Sequence, residues 1–177
     1  MNSLQDYLLQ MSPSITSAFE PEFRSRLVSM AEEEKAYLQL GERLLEFSRF
    51  NEAVAAFQEA EKRGEKSEEL YFGLGGALLN AGKLKEAASA FQKAVDVNPS
   101  KPDGYFYLAN ALDDLGESTK AIEAAESALK LDPNFAEARM ALAFIHFRMG
   151  NKEALEREYR LLEMTDRELA LRVKSLL

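Results

Sequence analysis

Apolar residues recur along the chain in paired stripes separated by short polar turns. Between Tyr71 and Pro99, two stretches carry apolar side chains three and four positions apart, with a break at Gly82. That spacing places side chains on one face of an α-helix. Glycine adopts the positive φ that ends a helix, and proline cannot continue the hydrogen-bond ladder. The pattern predicts two helices joined by a tight turn and closed at Pro99.

The same pattern returns 34 residues later, from Tyr105 to Pro133. Eight columns are shared, namely Tyr71/Tyr105, Leu74/Leu108, Gly75/Ala109, Leu78/Leu112, Gly82/Gly116, Ala87/Ala121, Ala94/Ala128 and Pro99/Pro133. An earlier copy supplies Tyr37, Leu40, Gly41, Leu44, Ala53, Phe57 and Ala60, and a fourth, degenerate copy follows Pro133. Such a fixed period marks a repeat array, and these columns resemble the tetratricopeptide repeat. Gly75 and Ala109 are small where a second helix would approach.

The resemblance implies an all-α fold, a right-handed α-solenoid of antiparallel helix hairpins, each stabilised by stacking on its neighbours. The expected segments are an N-terminal helical extension (1–33), repeat 1 (34–67), repeat 2 (68–101), repeat 3 (102–135), degenerate repeat 4 (136–164) and a C-terminal capping helix (165–177). In the last hairpin, Leu155, Tyr159 and Leu162 replace small residues. These larger side chains suit a hairpin that faces a different kind of neighbour.

The N-terminal extension has an amphipathic beginning. Leu4, Tyr7, Leu8 and Met11 fall at helical spacing. Three uses are open: the extension could cap the first hairpin, lie in the array's own groove, or pair with a second copy to form a homodimer. In the third case these four residues would be the oligomerisation contacts.

Composition and charge narrow the range of partners. The 177 residues include 46% apolar residues and no cysteine, and the formal net charge is −8. A negative surface repels phosphate backbones, so nucleic acid is not expected as a partner. The start of the chain lacks a cationic, apolar leader, and no apolar run is long enough for membrane insertion. A cytoplasmic protein is expected.

Catalytic and cofactor chemistry find little support in the sequence. The single histidine, His146, occupies a column that holds leucine in the other three repeats, which favours a structural role. No metal site is expected, because cysteine is absent and histidine occurs once. The glycines of Gly73-x-Gly75-Gly76 lie within a predicted helix, without the preceding strand that a phosphate-binding loop needs. We therefore expect a protein that is not an enzyme and has no cofactor.

The first helix of each repeat is the predicted binding surface, because in the tetratricopeptide family these helices line a concave groove that holds peptides. The matching groove positions here are Leu38, Glu42, Leu45, Phe72, Gly76, Leu79, Asn80, Phe106, Asn110, Asp113, Asp114, Met140, Phe144, Phe147 and Arg148. They form an apolar stripe with an acidic rim. Such a surface favours an apolar peptide segment with basic flanks.

One ligand of the family is disfavoured. Relatives that hold the acidic C-terminal tails of heat-shock chaperones use lysine, asparagine and arginine on the first helices. The matching positions here are Leu38, Glu42, Gly73, Asp103 and Tyr107, which oppose carboxylate capture. The expected role is an adaptor or chaperone that binds another protein or peptide. The alternatives are a self-assembling scaffold built through residues 1–33 and a secretion-system chaperone for apolar translocator proteins, which this small acidic chain resembles in general features.

Overall fold

The structure is a computed structural model and describes residues 35–177. Paired helices follow one another through this part of the chain. The extension over 1–33, including Leu4, Tyr7, Leu8 and Met11, lies outside these described residues. Within them there are nine α-helices and no strands: α1 Lys35–Glu46, α2 Phe50–Lys62, α3 Glu68–Asn80, α4 Leu84–Val97, α5 Pro102–Asp114, α6 Ser118–Leu131, α7 Ala136–Arg148, α8 Lys152–Thr165 and α9 Arg167–Lys174.

The described residues divide into two compact units, the first ending at Ala81 and the second spanning Gly82–Leu177. The first contains α1 to α3 and the second contains α4 to α9. Of the helices in residues 35–177, none combines the length and apolar composition needed to span a bilayer.

The first unit is organised around the buried ring of Phe57 in α2. This side chain is fully inaccessible to solvent. A methyl group added to Gly41 of α1 would lie 2.6 Å from the ring, and one added to Gly73 of α3 would lie 2.5 Å from it. Both distances are far inside van der Waals contact, so the ring occupies the space that these two glycines leave. Three helices can therefore close on one aromatic side chain.

The turns inside the four helix hairpins share one backbone conformation but not one residue type. Gly82, Gly116 and Gly150 have φ values of 76°, 82° and 71°, in the left-handed region. Ser48 stands at the corresponding point of the first hairpin and also has a positive φ, 56°. A residue with a Cβ atom is disfavoured in this conformation, so the first turn carries local strain that the glycine turns avoid.

The second unit ends in a compact apolar cluster that includes the C-terminal helix. Leu155 and Leu162 of α8 are buried together with Ala170 and Val173 of α9 and with Ala143 of α7. Tyr159 packs against this cluster from its edge. The large residues of the last hairpin thus pack with α9, which also contacts α7.

Candidate protein-binding surface

The predicted groove positions of the first unit lie on α1 and α3, which contact each other. We call this set the α1/α3 surface. Its apolar members are half-buried, namely Leu38, Leu45, Phe72, Gly76 and Leu79. Its polar members, Glu42 and Asn80, are exposed. A Cβ added to Gly76 would meet nothing within 4 Å, so the surface is open at this point.

Negative charge gathers at one place on the α1/α3 surface. Partial burial raises the pKa of Glu42, and the nearby carboxylates of Glu46 and Glu69 raise it further. The charged form of Glu42 is therefore disfavoured, chiefly by desolvation and further by these two carboxylates. A cationic group placed beside Glu42 would favour the charged form.

The predicted positions of the second unit lie on α5 and α7, and we call them the α5/α7 surface. The half-buried members are Phe106, Asn110, Asp113, Met140 and Phe144, and the exposed members are Asp114, Phe147 and Arg148. The ring of Phe147 is 46% exposed. Large apolar side chains thus remain accessible on helices whose other faces are buried by alanine and leucine.

Two of these positions also have structural contacts. The ring of Phe106 lies 5.2 Å from those of Tyr107 and Phe135, measured between centroids. Met140 packs against the apolar cluster of α7, α8 and α9. Phe144 and Phe147 are therefore the better probes of binding on the α5/α7 surface, because a change at Phe106 would also disturb packing against Phe135.

An ion pair joins two predicted positions in neighbouring repeats. The guanidinium of Arg148 binds the carboxylate of Asp113 and also donates a hydrogen bond of 2.7 Å to the Asp113 carbonyl. Burial raises the pKa of the Asp113 carboxyl, while Arg148 opposes this rise. The acidic rim expected from the sequence is therefore compensated at Asp113, and Asp114 is the exposed acid left on this surface.

His146 has the environment of a structural residue. Its imidazole is half-buried, and its buried Nδ1 atom has no hydrogen-bond partner among the described residues. Burial lowers the pKa of His146, although the carboxylates of Glu158 and Glu126 act in the opposite direction.

A separate cleft in the second unit lies away from the predicted positions. It has a volume of about 520 Å³ and is bounded by α4, α5 and α6. Leu108 and Leu112 belong to its apolar floor, and Lys85, Gln92 and Glu123 to its polar edges. Sequence reasoning did not single out this cleft, because its lining comes mostly from the second helices and not from the first.

Comparison with known proteins supports the helical-repeat fold. The crystal structure of MamA is 23% identical and has a TM-score of 0.73, with 86% of this chain and 85% of that chain covered. The structure of YrrB, described as a TPR protein with an unusual peptide-binding site, is 21% identical and has a TM-score of 0.77, covering 91% and 87%. MamA from residue 41 onward, from Desulfovibrio magneticus RS-1, is 22% identical with a TM-score of 0.74, covering 80% and 81%.

Sequence comparison gives the same result. None of the curated protein sequences compared with the chain matches it. Two sequence profiles described as tetratricopeptide repeat match residues 38–104 and 102–145, which together span more than half of the 177 residues. The solved structures confirm the predicted all-α solenoid class. The chain belongs to the tetratricopeptide repeat family, whose members are protein-interaction modules.

Proposed function

We propose that the protein is a non-catalytic binding module, an adaptor or chaperone, that holds an apolar segment of another protein on its first helices. The observation that carries the proposal is the exposure of large apolar side chains on these helices. Phe72 and Phe144 are half-buried and Phe147 is 46% exposed, although alanines complete the core beside them. Partly exposed aromatic rings with a polar rim are typical of protein-binding surfaces.

The charges of the two surfaces favour a segment with a basic flank. Glu42 is the acidic residue of the α1/α3 surface, and the nearby carboxylates of Glu46 and Glu69 contribute to its raised pKa. A lysine or arginine of the partner would replace the mutual repulsion of these carboxylates with attraction. The same charges oppose the acidic C-terminal tails of heat-shock chaperones. The peptide-binding site named for the similar structure of YrrB supports a peptide as the kind of ligand, without regard to its charge.

The proposal is tested with fluorescein-labelled synthetic peptides that have a leucine-rich centre and either lysine or glutamate flanks. Anisotropy titration of the full chain should show tighter binding of the lysine-flanked peptide. The double variant Phe72→Asp with Phe144→Asp should weaken that binding at least about tenfold, because each change places a charge against an apolar ligand side chain.

The matched control is Val97→Asp with Leu131→Asp. These two apolar residues end α4 and α6 and are 47% and 43% exposed, outside both surfaces. The control variant should keep the affinity of the unchanged protein, and circular dichroism should show the same helicity in all three proteins. Equal losses of peptide affinity in the two double variants would reject the assignment of the binding surface.

A further inference from the structure

We infer that a small pocket at the end of the α5/α7 surface receives one large apolar side chain of the bound segment. We call this side chain the anchor, and a carboxylate residue of the same segment lies next to it. This inference rests on the proposed function and adds a specific subsite to it. The pocket has a volume of about 180 Å³ and lies where the turn between α7 and α8 meets the residues that follow α9. None of its lining except Phe147 was predicted.

The walls of the pocket are apolar and its floor is fixed. Leu155 is 2% exposed and belongs to the core cluster, so it provides a packed base. Phe147, Leu176 and Leu177 also line the pocket, and Phe147 and Leu177 are 46% and 56% exposed. The pocket therefore combines a packed base with an accessible apolar rim.

Phe147 makes the pocket continuous with the proposed binding surface. It belongs to the α5/α7 surface and also lines the pocket, so a segment that contacts Phe144 and Phe147 can place its next side chain there. A cavity of roughly 150 Å³ can hold a benzene ring. The volume here suits one leucine, methionine or phenylalanine side chain and excludes two.

The charges at the mouth of the pocket indicate which type of residue lies next to the anchor in the bound segment. Lys152 and Glu156 both line the pocket. Glu156 lies 3.5 Å from Arg160 in an ion pair, whereas the ammonium of Lys152 has no carboxylate within 4.0 Å among the described residues. Lys152 is therefore the charged group at the mouth that has no ion-pair partner among the described residues. A carboxylate beside the anchor would complement it, and the anchor itself would bury its apolar surface against Leu155.

The test uses the lysine-flanked peptide with one of three ends: Leu-Asp, Ala-Asp or Leu-Asn, each closed by an amide. With the full chain, the Leu-Asp peptide should bind about tenfold more tightly than the Ala-Asp peptide, because only leucine fills the pocket. It should also bind more tightly than the Leu-Asn peptide. Lys152→Met should remove the difference between aspartate and asparagine and keep the difference between leucine and alanine.

Glu156→Trp is designed to fill the pocket, and Glu153→Trp is its control on the same helix. Each replaces one exposed glutamate, but Glu153 does not line the pocket. The chain has no other tryptophan, so the emission maximum reports the environment of the new side chain. Emission should be blue-shifted only in Glu156→Trp, and only this variant should lose the preference for leucine over alanine.

The outcomes separate the two proposals. If none of the peptides binds, the proposed function itself fails. If the peptides bind but leucine and alanine are equivalent, or if Glu156→Trp keeps the preference, the pocket is not an anchor site and the inference is wrong. If leucine is preferred but aspartate and asparagine bind equally, the carboxylate beside the anchor is rejected.

Discussion

Arg148 of α7 binds the side chain and the backbone carbonyl of Asp113, which lies 35 residues earlier in α5. The separation is one repeat of 34 residues plus one, so the pair joins the ends of first helices in successive repeats. Asp113 is in the last turn of α5, and its carbonyl already accepts a hydrogen bond of 2.9 Å from the Gly116 amide. The guanidinium therefore adds a second hydrogen bond to this carbonyl and compensates a partly buried carboxylate.

Removing this arginine should weaken the second unit. Arg148→Gln is expected to lower the free energy of unfolding by about 1 kcal/mol, a modest value because the Arg148 side chain is 46% exposed. Urea denaturation measures the effect. A double-mutant cycle with Asp113→Asn should give a coupling of similar size, and a coupling near zero would mean that the pair does not link the repeats energetically.

Two glycines of α3 should respond in opposite directions to the same substitution. Gly73→Ala places a methyl group 2.5 Å from the buried Phe57 ring, and overpacking of this kind costs about 1–3 kcal/mol. Gly76→Ala meets no atom within 4 Å, so removing a flexible glycine from a helix should stabilise the protein by about 0.5–1 kcal/mol. Thermal or urea unfolding of both variants measures the sign of each change in stability. Two changes of the same sign would contradict the packing around Phe57.

The first turn offers a stabilising substitution. Ser48 has a φ of 56°, where glycine carries no steric penalty. Ser48→Gly should therefore raise the free energy of unfolding by about 0.5–1 kcal/mol, since relief of the left-handed strain exceeds the added entropy of the unfolded chain. The reverse change in the third repeat, Gly116→Ala at a φ of 82°, should be destabilising. A Ser48→Gly variant that is less stable than the parent would show that the serine side chain stabilises this turn.

His146 predicts a loss of stability in acid. Because burial lowers its pKa in the folded protein below 6.5, the unfolded chain binds a proton more readily. Stability should therefore fall as the pH decreases from about 6.5 toward the lower folded pKa. Glu126 and Glu158 reduce this effect and Arg157 increases it.

His146→Leu isolates that contribution, because leucine is the residue of this column in the other repeats. The variant should be more stable than the parent, since it removes a buried Nδ1 atom without a partner among the described residues. Its advantage in urea denaturation should be larger at pH 5.5 than at pH 7.5. An advantage that is the same at both pH values would mean that His146 titrates alike in the folded and unfolded states.

The fold could be predicted from the sequence because the repeated columns reflect local helix geometry. The 34-residue period, the glycine turns and the prolines specify helix pairs without knowledge of distant contacts. The space around Phe57 could be predicted only in part. Gly41 stands in the same small-residue column as Gly75, whereas Gly73 is in no repeated column. Only the packing of α2 on both α1 and α3 shows that Gly73 also borders the ring.

The sequence was sufficient to predict which helix positions belong to the candidate surface, but not how the charges on it are paired. Asp113 and Arg148 were both placed on it, yet their pairing depends on the packing of α5 on α7. The pocket beside Phe147 was missed for a similar reason. Its lining combines the α7–α8 turn with Leu176 and Leu177, and no sequence period relates these segments.

The central claim is that a partner lies on the first helices and not on the second. Photo-cross-linking tests it most directly, with p-benzoylphenylalanine replacing either Phe144 of α7 or Leu131 of α6 in the full chain and the lysine-flanked peptide as probe. We predict that the peptide becomes covalently attached from position 144 and not from position 131. Attachment from position 131 alone, or equally from both positions, would contradict the assignment.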